Sequence, residues 1–143
     1  MVQKEIRNRL KAEPGEAGYG LLSIFAQAYL KVSFLFDVSA ACFFPRPAVD
    51  STVILIEPVR EKTWTNPAEE FFREIASAAL SHRRKTIFNC LKHYDSLWNL
   101  DEGALKTALL RAGIDPARRG ESFSLQEFYQ LSSIMFNLKQ YHH

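Results

Sequence analysis

Cys42-Phe43-Phe44-Pro45-Arg46-Pro47-Ala48-Val49-Asp50-Ser51-Thr52-Val53 is the stretch whose reading decides the fold. Two aromatic rings lead into two prolines, each with a fixed φ and no amide donor. Proline also pushes the residue before it toward extended geometry, so Phe44 and Arg46 are expected to be held extended. The stretch then enters Thr52-Val53-Ile54-Leu55-Ile56-Glu57, a β-branched run that reads as a buried strand. A stiff loop carrying aromatic rings into a strand suits a flat ligand such as a nucleobase. It equally suits a pair of rings that plug a core.

Upstream, Lys31 to Val38 alternates and is rich in β formers, so it reads as a second strand. Val32, Phe34 and Phe36 are expected on one face, with Leu35 breaking the pattern. Leu21 to Leu30 reads as a helix whose apolar face is Leu22, Phe25, Ala26 and Tyr29. Ser23 and Gln27 share a side of that helix, one turn apart, either as a polar edge near a substrate or as capping and solvated surface. Val2, Ile6, Arg9 and Leu10 fall at helical spacing, so a helix is expected from the first residue until Pro14-Gly15 stops it. A two-stranded ribbon alone is marginal in water and its open edge invites pairing. Residues 1–60 are therefore expected to be part of a larger domain, and the exposed edge to offer self-association.

Downstream, Pro58 to Thr65 reads as a linker ending in Trp64, expected to pack between the two halves. After it the hydrophobic period changes from 2 to 3.6. Asn66-Pro67-Ala68-Glu69 is a helix start, followed by an apolar face of Phe71, Phe72, Ile75, Ala79 and Leu80. Asp101 can cap a helix carrying Leu105, Ala108, Leu109 and Ala112, with Gly113 as its stop. Ser124-Leu125-Gln126-Glu127 is a capping box ahead of Phe128, Leu131, Met135 and Leu138. Residues 61–143 thus read as all-helical. Between the first two of these helices, Ser81 to Lys92 reads as a basic helix that buries Ile87, Phe88 and Leu91 and leaves Arg84, Lys85 and Lys92 partly free. Such cations bind phosphate or simply solvate a helix end against its dipole.

The 143 residues suit one domain, or a small domain with part of another. The composition, 47% hydrophobic and 24% charged, is that of a globular protein and argues against disorder. No apolar run approaches the roughly 18 residues of a membrane span. Cys42 and Cys90 lack metal-ligand spacing and fit free thiols in a reducing cytoplasm. The histidines also lack metal spacing, and neither cysteine has an evident activating base. Net charge is +2, with +1 in each of residues 1–60 and 61–143. Any nucleic-acid binding must therefore come from local clusters.

The pattern Phe-x-Pro-x-Pro-x-Val-x-Ser, starting at Phe43, resembles the late methyltransferase motif of the ribosomal RNA adenine dimethyltransferases. Three further stretches are similar to that family, in its order. They are Met1 to Glu5 with Tyr19-Gly20, Leu22-Ser23 and Gln27; Arg83-Arg84-Lys85-Thr86 with Asn89 and Leu91; and Ala112 to Arg119 with Glu121, Leu125 and Phe128. The resemblance implies an α+β fragment. It would be the end of a Rossmann-like methyltransferase domain (two helices and a terminal antiparallel strand pair, residues 1–60) followed by a small all-α RNA-binding domain (residues 61–143). It implies methyl transfer from S-adenosylmethionine to adenine N6 in small-subunit rRNA, on a 30S-type particle in the cytoplasm. Phe43 corresponds to the family's ring that packs on the target adenine. The family usually has Lys where this chain has Ala48, and Arg46 is expected to supply that positive charge. Arg83, Arg84 and Lys85 are expected to contact RNA; Arg118 and Arg119 either extend the basic surface or pair with Glu121 and Asp115, and are expected to be structural. The family's Asn-Leu-Pro-Tyr loop and the glycine-rich strand–loop–helix that holds the cofactor are absent from this chain. The chain alone is therefore expected to be inactive and to bind no cofactor. The readings outside catalysis are a stand-alone RNA-binding module and a helical interaction module.

Overall fold

The computed structural model describes residues 1–59, 66–94 and 98–141. Trp64, expected to pack between the halves, lies outside the described residues. Two units are present, Met1–Glu61 and Lys62–His143.

The first unit is a three-stranded antiparallel sheet with two helices, not a strand pair. Its elements are β1 (Val2–Gln3), α1 (Lys4–Lys11), α2 (Leu21–Tyr29), β2 (Leu30–Val38), a 3₁₀ turn (Ala40–Cys42) and β3 (Ser51–Pro58). The strand order is β1-β3-β2, with Val2 opposite Thr52. The helical spacing of Val2 with Ile6 hid β1; the chain is extended there because β3 offers it a partner. A second correction concerns β2. Phe34 pairs with Ile54 and Phe36 with Val53, so Leu35 is the extra residue of a β-bulge. Side chains alternate by pairs, and the bulge therefore places Phe36 on the opposite face from Val32 and Phe34. The run through β3 is also less buried than its apolar sequence suggests: Leu55 is 48% and Ile56 50% exposed.

Helix α2 also turns differently from its apolar pattern. Ser23, Ile24 and Ala26 are buried, while Leu22 is 42% exposed. The Ser23 hydroxyl explains this: it donates to the Arg9 carbonyl, 2.5 Å away, and accepts from the Gly20 amide. Gln27 Nε2 donates to the Ala12 carbonyl at 3.0 Å. Both polar side chains thus fasten α2 to α1 and its exit loop.

The second unit is helical in its described residues: α3 (Asn66–Ser81), α4 (Ile87–Lys92), α5 (Glu102–Arg111), a 3₁₀ turn (Gly120–Ser122) and α6 (Leu125–Tyr141). Local signals set its ends. Asp101 accepts from the Ala104 amide at 2.7 Å, Ser124 and Glu127 exchange side-chain and backbone bonds, and Gly113 takes φ +72° after α5. The core joins Phe72 and Ile75 of α3, Ile87 and Leu91 of α4, Leu105 and Leu109 of α5, and Phe128 and Met135 of α6, each essentially inaccessible. Trp98 fills the centre, its indole N–H donating to the Leu91 carbonyl at 3.0 Å and its ring meeting Phe71 edge-on at 5.2 Å.

Candidate nucleic-acid interface

In the first unit, the aromatic loop is a closed excursion between β2 and β3. Ser39 caps its opening turn by accepting from the Ala41 amide. Asp50 draws the two ends together: its carboxylate accepts from the Ala40 amide at 2.8 Å, and its carbonyl accepts from the Lys4 amide at 3.1 Å. Phe44 projects completely, at 102% exposure, so it plugs no core; Phe43 is half-buried and Arg46 exposed. The Phe44–Pro45 peptide is cis.

Beside the root of the loop, Thr52 Oγ1 donates to Asp37 Oδ1 at 2.7 Å. Arg7 Nη1 donates to both oxygens of the same carboxylate at 3.0 Å. The Thr52 bond and the Arg7 charge hold the Asp37 carboxyl below its usual range. Asp50 and the Arg7–Asp37–Thr52 group escaped the sequence reading because their partners are remote in sequence; an aspartate inside a β-rich run was the available signal.

In the second unit, Arg83, Arg84 and Lys85 lie in the turn between α3 and α4 rather than on a helix. Thr86 is the reason: its side chain caps α4 by accepting from the Asn89 amide, so the helix starts only at Ile87. All three cations are exposed. Lys92 is ion-paired with Glu102 at 2.5 Å. Cys90 is buried under the turn, and that burial pushes its thiol up.

The 115–119 segment meets this turn. The Ile87 amide donates to the Arg118 carbonyl at 2.6 Å, and the Phe88 amide to the Pro116 carbonyl at 3.3 Å. Arg118 is structural, as expected, but its partner is Glu127 rather than Glu121 or Asp115. The guanidinium grips both Glu127 oxygens, donates to the Ser122 carbonyl at 2.8 Å and lies over the Phe123 ring at 4.7 Å. This hydrogen-bonded charge holds the Glu127 carboxyl below its usual range. Arg119 stands exposed next to it. Its backbone lies between the Arg118 carbonyl bonded to Ile87 and Gly120, whose Cα abuts Ala79.

Among the described residues, no group of three or more His, Cys, Asp or Glu side chains is placed to hold a metal ion. No helix there is long and apolar enough to cross a membrane.

A family model described as ribosomal RNA adenine dimethylase matches residues 1–137. The chain is 38% identical over 138 residues to a Clostridium botulinum protein named ribosomal RNA small subunit methyltransferase A, covering 96% of this chain and 49% of the relative. It is 41% identical over 138 residues to a protein of the same name from Geobacter metallireducens, covering 96% and 50%. The chain thus spans about half the length of the curated relatives it matches. Its fold is similar to that of a dimethyladenosine transferase from Plasmodium falciparum, with a TM-score of 0.75 at 24% identity, over 96% of this chain and 56% of that one.

Proposed function

The chain belongs to the ribosomal RNA adenine dimethylase family, and from that membership we propose that it is the RNA-recognising part of a methyltransferase acting on N6 of adenines in small-subunit ribosomal RNA. The observation that carries this reading is the family match over residues 1–137, which spans both the aromatic loop and the basic turn. Residues 1–60 act as the closing part of the methyltransferase domain and residues 61–143 as its helical RNA-binding domain, working on a 30S-type particle in the cytoplasm.

The adenine N6 amine is a poor nucleophile because its lone pair is delocalised into the ring, so the base must be taken out of its stack and held in one orientation. The Asp50-clamped loop suits that task. Phe43 offers a ring to the base, and Arg46 offers a guanidinium to a neighbouring phosphate. Arg83, Arg84 and Lys85 bind the RNA backbone, which positions the substrate without reading its sequence.

S-adenosylmethionine supplies a methyl group activated on a sulfonium. Among the described residues, the β1–α1 junction passes directly from Gln3 to Lys4 with no loop and no glycine, which does not fit a glycine-rich cofactor cradle. This supports placing the cofactor site outside these residues. Calorimetric titration of the chain separates the two roles: a small-subunit rRNA fragment is expected to bind and S-adenosylmethionine to give no binding heat. The reverse pattern would overturn the assignment.

A further inference from the structure

The large rings Phe72, Trp98, Phe123 and Phe128 of the helical unit are fully buried. Another group of rings stands at its surface. His82, just after α3, meets His93 with centroids 5.5 Å apart and planes at 88°. His93 in turn meets Tyr94 at 5.1 Å and 88°. His93 is exposed, and His82 and Tyr94 are half-buried. Backbone bonds of the α3–α4 corner hold this ladder in place. The His82 carbonyl accepts from the Lys85 amide at 3.0 Å, and the His93 and Tyr94 amides donate to the Asn89 and Leu91 carbonyls at 3.2 and 3.1 Å. Cys90 Sγ lies 3.5 Å from the same His82 carbonyl. The corner that sets the rings also presents Arg83, Arg84 and Lys85.

Surface rings beside a cluster of cations match the chemistry of an unpaired nucleotide, which offers a base face for stacking and a phosphate for charge. A duplex hides its base faces, and an acidic peptide would engage the cations while leaving the rings unused. We propose that the His82–His93–Tyr94 ladder is a stacking platform for an unpaired base of single-stranded RNA, whose flanking phosphates lie on Arg83, Arg84 and Lys85. This rests on the RNA-binding reading of the helical unit and adds to it a second base contact, distinct from that of the Phe43 loop.

The test is fluorescence anisotropy of the whole chain with a labelled short oligoadenylate and with a duplex of the same length. His93→Ala is expected to weaken single-strand binding about tenfold, and His93→Phe, which keeps a ring, to stay within about twofold of the unchanged chain. The single strand is expected to bind more tightly than the duplex. His93 is exposed, so a thermal melt should find both variants folded. If His93→Ala binds as well as the unchanged chain, or if phenylalanine fails to restore binding, the platform is wrong. Binding that depends on Arg83, Arg84 and Lys85 but ignores His93 removes the platform alone. If the unchanged chain binds no RNA at low salt, the RNA-binding reading falls and the platform with it.

Discussion

Neutralising Arg83, Arg84 and Lys85 together is expected to lower the affinity of the chain for RNA on the order of a thousandfold at low salt, taking about 1.5 kcal/mol for each charge-assisted bond to phosphate. The dependence on salt should flatten as well. Each phosphate neutralised on a single strand contributes about 0.7 to the slope of log affinity against log salt, so the slope should fall by about 2. The fold should survive, because all three side chains are exposed and the start of α4 is held by Thr86 and by the Arg118 carbonyl. Titrations of the unchanged and triply substituted chains over a range of salt concentrations make the comparison. Equal affinities and equal slopes would move RNA binding away from the turn.

Gly120→Ala is expected to destabilise the helical unit by about 2–3 kcal/mol, the cost of overpacking a well-filled site. A Cβ at this position would stand 2.5 Å from the Ala79 carbonyl oxygen and 3.0 Å from both its carbonyl carbon and its Cβ. These are mostly backbone atoms of α3, so no side chain can swing aside to relieve the contact. For a unit of this size the melting temperature should fall by about 10–20 °C. The segment that moves is the one beside the basic turn, so RNA binding should weaken too. A melt indistinguishable from that of the unchanged chain would mean that the 120–122 turn does not approach α3 so closely.

The helical unit was legible in the sequence where its signals are local. Asp101, Gly113 and the Ser124–Glu127 box each act within a few residues of themselves, and the structure uses all of them. Thr86 carries the same kind of signal, but the basic run around it also reads as a continuous helix; as a cap it places Arg83 to Lys85 in a turn. Pairing information is what a linear pattern lacks. The face of Phe36 depends on a bulge at Leu35 that exists only opposite β3, and β1 is a strand only because Thr52 and Ser51 lie beside it. The Arg118–Glu127 grip and the Asp50 clamp join residues about ten apart through a turn and a loop. Neither is visible to helical or alternating periodicity. The aromatic loop was legible as a motif, whereas the exposure of Phe44 and the half-burial of Phe43 emerge only from how the loop is closed.

The proposed presentation of the target adenine by the loop of this chain is tested most directly by Phe43→Ala in a full-length family protein that contains this chain. Methylation of 30S-type particles and affinity for S-adenosylmethionine should be measured side by side. Loss of one stacked ring, worth about 1–3 kcal/mol, should lower methylation by about 5- to 150-fold and leave cofactor affinity unchanged. An unchanged methylation rate, or a parallel loss of cofactor binding, would contradict that proposal and make Phe43 a packing residue.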